Sequence, residues 1–121
     1  MSAGDPVHDA GRQHIERAIR DAEVVSGFTF SVFVGPSDGE PRQFANRLHS
    51  AVVDPDNSVL IMVDGSARIV EVVTGQAARR ALTDNEAGLA VLAMTSDFEV
   101  VGLTSAIVRG LHQLAGQARR P

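Results

Sequence analysis

The sequence predicts an α/β domain, a three-layer αβα sandwich around a small mixed sheet of three to four strands. Three observations lead there. Apolar residues recur at helical spacing from Asp9 to Ser26, they alternate from Phe28 to Val34, and they run unbroken from Val59 to Val63. A continuous apolar run of strand length is buried on both faces, so it belongs in the middle of a sheet covered on each side by helices.

The elements follow in order. Ile15, Ala18, Ile19, Ala22 and Val25 stripe a first helix, and Gly27 is placed to end it. Phe28, Phe30, Val32 and Val34 share one face of the first strand, before the turn-forming run Gly35 to Glu40. Pro41 opens a second helix through Phe44, Leu48, Ala51 and Val52, which Asp54-Pro55 must stop. Ser58 to Val63 is the central strand. Asp64-Gly65-Ser66 reads as a tight hairpin turn, and Ala67 to Thr74 as the returning strand, with Arg68 and Glu71 suited to an edge. A short helix is expected around Gln76 to Ala81. Asp84 is the expected N-cap of an apolar helix through Met94 that Thr95-Ser96-Asp97 terminates. Phe98 to Val101 fits either a loop or a short fourth strand. Leu103, Ile107, Leu111 and Leu114 stripe a final helix. The first two strands should be parallel and the third antiparallel to the second.

The chain of 121 residues is the size of one domain. Residues 1–8 read as an N-terminal tail, 9–118 as the domain and 119–121 as a C-terminal tail. There is no cysteine, which excludes disulfides, thiolate catalysis and cysteine-bound metals and fits a reducing compartment. All eleven basic residues are arginine, which excludes a P-loop lysine or a lysine Schiff base. The net charge of −4 opposes unspecific nucleic-acid binding, so nucleic acid is not an expected partner. No apolar run approaches membrane-spanning length and the first residues lack the basic and apolar regions of a leader, so a cytoplasmic location is expected.

Several runs carry a family resemblance. Ser26-Gly27-Phe28-Thr29-Phe30-Ser31-Val32 resembles the opening strand of TPM domains. Asp56-Asn57-Ser58-Val59-Leu60-Ile61 is similar to their central strand, and Arg68 to Gly75 to their return strand. The nearest likeness is to a small actinobacterial group of uncharacterised, soluble TPM-like proteins. The resemblance spans residues 12 to 117 and implies a Rossmann-like sandwich. Some TPM proteins have been called acid phosphatases, some bind calcium, and others act in assembly or repair without enzymatic activity. This chain has Val101-Gly102 where an acidic residue is expected to follow glycine before the last helix, which sets it apart from an inherited calcium or phosphatase site.

Carboxylates are the recurrent polar chemistry near the strand ends. Asp54 and Asp56 precede the central strand and are the candidate metal ligands, offering the hard oxygens calcium requires. The EF-hand spacing is absent, and the same residues suit a proline turn. Asp38, Glu40 and Asp64 gather at the carboxyl ends of the parallel strands, where open α/β sheets bind ligands, and are the candidate ligand-binding residues. Six strand residues separate Asp56 from Asp64 by roughly 20 Å, so one cation cannot serve both. His8, His14, His49 and His112 form no helical pair and are assigned to surface positions. No catalytic residue and no required cofactor are assigned, with calcium as the open possibility. The leading expectation is a non-enzymatic module that binds a protein partner or a small ligand. The alternatives are a weak metal-assisted phosphatase of the hydrolase class, a calcium-binding domain, or the subunit of a homo-oligomer joined along the third strand.

Overall fold

The computed structural model describes residues 9–119. The expected tail at 1–8, with His8, and the last two residues lie outside them. The described elements are helix α1 (Asp9–Ser26), strand β1 (Thr29–Val34), helix α2 (Pro41–Ser50), strand β2 (Ser58–Asp64), strand β3 (Ile69–Thr74), helix α3 (Asp84–Val100) and helix α4 (Leu103–Gln117). Single 3-10 turns at Pro55–Asn57 and Ala78–Arg80 link them.

The sheet has the order β1-β2-β3, so the continuously apolar strand is central, as its composition requires. β1 runs parallel to β2 in the register Thr29 with Ser58 through Val34 with Val63. β3 returns antiparallel, pairing Val59 with Thr74 and Asp64 with Ile69. Every residue of β2 is buried. Val59, Ile61 and Val63 face the larger core, packed with Phe30, Val70 and Val72 against α1, α3 and α4. Leu60 and Met62 face α2 on the other side, with Ala45 and Val73. Burying one such aliphatic side chain contributes about 1.5–3 kcal/mol, which makes β2 the main anchor of both layers.

The sheet's two outer edges are not bare. The Gly75 amide donates to the Ser58 carbonyl, which fixes the ladder so that Val72 and Thr74 aim their carbonyls away from β2. Arg42 of α2 donates to the Val72 carbonyl at 2.8 Å and meets Glu71 at 3.2 Å. Arg79 donates to the Thr74 carbonyl at 3.0 Å. On the opposite edge the Phe30 amide donates to Glu23 of α1 at 3.0 Å.

Helix ends account for most departures from the sequence expectations. α1 ends where Gly27 adopts φ +80, the left-handed C-cap conformation that glycine enters without strain. α2 stops at Ser50 rather than Val52: the Ala51 amide turns back to the Leu48 and His49 carbonyls, and Val53 is 89% exposed. β3 begins at Ile69 rather than Ala67, because Arg68 takes a left-handed turn conformation with φ +56. Thr83, not Asp84, caps α3. Its hydroxyl accepts from the Glu86 amide and the Glu86 carboxylate accepts from the Thr83 amide, a reciprocal capping box. The same helix passes through Thr95-Ser96-Asp97 and continues to Val100, so Phe98–Val100 is helical rather than loop or strand, and Val101 is the C-cap, its amide donating to the Asp97 carbonyl. Thr95 donates its hydroxyl back to the Val91 carbonyl at 2.8 Å, which absorbs the polar group within the helix. Phe98 lies four residues after Met94 and packs on the same core.

Candidate functional site

The crevice at the carboxyl ends of β1 and β2 opens into a cleft of about 420 Å³. Val34, Phe98 and Leu103 supply its apolar wall, and Gly35, Asp64 and Ser66 its polar side. Arg68 and Glu99 form an ion pair at its mouth. The cleft exists because three segments meet there: the end of β1, the β2–β3 turn and the α3–α4 junction.

Asp64 is the buried acid of this region, 5% exposed. One carboxylate oxygen accepts from the Ser37 amide at 3.0 Å and the Ser37 hydroxyl at 3.1 Å. The other accepts from the Ser66 hydroxyl at 2.9 Å and the Ala67 amide at 3.2 Å. A carboxylate offers about four lone-pair sites, so the set is filled by the protein itself. The Ser37 amide leads these donors in favouring the charged form. Together they outweigh the burial that opposes it, and lower the Asp64 pKa from 3.8 to about 2. Such an acid is ionised at neutral pH and is a poor proton acceptor.

Asp38 and Glu40, grouped with Asp64 on sequence grounds, are not part of the cleft wall. Glu40 caps α2, accepting from the Gln43 amide at 2.7 Å. Asp38 is exposed, and its backbone carbonyl accepts from Arg47 at 3.0 Å. At the other end of β2, Asp54 takes a left-handed conformation with φ +54 and accepts from the Asn57 side chain at 2.9 Å. The Asp56 carbonyl accepts from the Ala77 amide at 3.0 Å, while its side chain is exposed. Gly75 lies close by, so tightly that a Cβ there would sit 1.9 Å from the Pro55 carbonyl oxygen. Among the described residues no three His, Cys, Asp or Glu side chains converge to hold a metal ion.

Two site features were not anticipated from the sequence. Phe98, Glu99 and Leu103 line the cleft because α3 runs on to Val100, and Arg68 joins them because it sits in the turn rather than on an edge strand. His49 corrects the surface assignment of the histidines. It is buried at 9% exposure and its Nε2 lies 3.0 Å from the Ser58 carbonyl oxygen, tying α2 to the sheet. His14 and His112 are exposed as expected.

No helix among the described residues is long and apolar enough to cross a membrane. Several solved structures share the fold, three bacterial ones among them. The BA42 protein from the psychrophilic bacterium Bizionia argentinensis superposes with a TM-score of 0.80 at 16% identity, over 97% of this chain and 84% of that one. The N-terminal domain of a protein from P. gingivalis gives 0.74 at 16% identity, over 95% and 78%. The N-terminal domain of the cg2496 protein from Corynebacterium glutamicum gives 0.75 at 16% identity, over 97% and 82%. No curated protein matches the sequence. The profile of the domain of unknown function DUF5130 matches residues 1–115, and the chain belongs to that family.

Proposed function

We propose that this domain is a non-enzymatic binding module, and that the cleft beside Asp64 receives an apolar group bearing an anionic end. The group belongs to a small ligand or to a residue of a protein partner. The observation that carries this reading is the state of Asp64. The one buried acid at the expected ligand-binding end of the sheet spends all its acceptor sites on Ser37, Ser66 and Ala67. It serves as a clamp on two loops. What the cleft offers an incoming molecule is the Val34, Phe98 and Leu103 wall and the Arg68 guanidinium, whose partner Glu99 an anionic ligand would replace.

Metal-assisted hydrolysis requires converging carboxylates around a cation. Asp54 and Asp56 lie at the far end of β2, and Asp54 is engaged with Asn57. We therefore propose no dependence on calcium, with these two residues as turn formers. The TPM relationship is part of the same proposal and is supported by the strand and turn runs that suggested it. The cytoplasm is the proposed compartment, supported by a chain without cysteine.

The test pairs binding with turnover. Phenylacetate, titrated into the labelled chain, should shift the amides of residues 34–36, 65–68 and 98–103, and phenylacetamide should shift them less. No phosphate-ester hydrolysis above a mock purification is expected with magnesium, manganese or calcium. A robust activity that Asp64→Asn or Asp56→Asn removes from a folded chain would overturn the reading, as would a saturable calcium-induced rise in Tm abolished by Asp56→Ala.

A further inference from the structure

A second surface stands apart from this cleft, along the outer seam between α1 and α4. Two adjoining hollows of about 370 Å³ and 300 Å³ share Asp21 and His112, so they form one groove. Its lining advances in step on both helices, from His14 beside Ser105 to Val25 beside Arg119. The helices therefore run parallel, and the groove follows them for about 16 Å, three turns of helix. Ala18, Ala22 and Ala115 form a floor of small residues, and Val25 at one end is 40% exposed.

The charge on the groove opposes that of the molecule. The chain is acidic overall, yet Arg17, Arg109 and Arg119 line the groove against the single acid Asp21, with His14 and His112 between them. Arg17 makes no ion pair among the described residues. Arg109 reaches Asp97 at 3.5 Å, with the arginine side chain 62% and the aspartate 23% exposed. The guanidinium side of this pair is solvated, so Arg109 keeps donors free for a further carboxylate.

We infer that the α1–α4 groove docks an acidic amphipathic helix from a protein partner. Small floor residues accept the apolar stripe of a helix of about three turns, while flanking carboxylates meet the three arginines. The complementarity lies at a wet, charged rim. It therefore sets which partner is accepted and makes the association sensitive to salt.

The experiment uses the whole labelled chain and a synthetic helix of about 18 residues, with a leucine stripe flanked by glutamates. Binding should shift amides along α1 from His14 to Val25 and along α4 from Thr104 to Arg119. Affinity should fall at least about tenfold in the Arg17→Glu, Arg109→Glu double variant, and again when salt rises from about 50 to 500 mM. Both arginines are exposed, and the variant's amide spectrum reports its fold directly. The inference is overturned if the same helix with lysine in place of glutamate binds equally, if the shifts fall elsewhere, or if the folded variant keeps its affinity. It is equally overturned if inorganic phosphate moves the same amides as tightly as the helix does, which would make the groove a small-anion site.

Discussion

Asp64 and Gly75 carry consequences out of proportion to their size. The Asp64 pKa is lowered to about 2 from 3.8, so its charged form stabilises the fold by on the order of 2 kcal/mol. That contribution is complete above the unfolded-state pKa, and is lost as pH falls from about 4 through 2. Asp64→Asn should therefore cost about 2 kcal/mol in urea unfolding at pH 7, and the two proteins should converge toward pH 2. A constant difference across that range would mean that packing, rather than charge, is what Asp64 supplies. Gly75 is held by backbone alone. The atoms a methyl group would meet are the Pro55 and Asp56 carbonyls, at 1.9 and 2.4 Å, and no side-chain rotation relieves them. Gly75→Ala should cost about 3 kcal/mol, at the upper end for overpacking, read as a fall in the urea midpoint.

Elements were legible wherever one pattern dominated. The unbroken run in β2, the alternation in β1 and the stripe of α4 each admit one placement, and each lies within a residue or so of it. The start and end of α3 were less legible, because the helix is apolar nearly all round. Only Ala87, Ala90 and Met94 are buried, while Leu89 and Leu92 are 51% and 68% exposed. Periodicity therefore gave no face from which to judge Phe98. Local chemistry was equally ambiguous at the other end, where Thr83 and Asp84 both suit a cap and the Glu86 side chain decides between them. Thr83→Ala should destabilise the protein by about 1 kcal/mol in chemical denaturation, and Asp84→Ala by only a few tenths. The reverse order would restore Asp84 as the cap. The cleft was half legible for the same reason: Asp64 could be placed from its strand, whereas Phe98, Glu99 and Arg68 depended on where α3 and the β2–β3 turn stop.

At the scale of the whole molecule, helices cover both faces of the sheet, and among the described residues it has three strands with β1 and β3 as its edges. Among the described residues, pairing of β1 with β2 and β2 with β3 leaves two rows of backbone groups without strand partners, the ready template for a further strand. Ionised side chains occupy positions on both rows: Glu23 takes the Phe30 amide, while Arg42 and Arg79 take the Val72 and Thr74 carbonyls. A fourth strand, whether from a second copy or from a misfolded neighbour, would first have to strip those charges from their hydrogen bonds. The three contacts thus act against fibre growth as well as for the fold. Glu23→Ala, Arg42→Ala and Arg79→Ala combined should lose modest stability. Incubated below its Tm, that variant should gather thioflavin-positive aggregate sooner than a control variant of equal stability altered away from the edges. Equal lag times would show that the sheet is protected by burial alone.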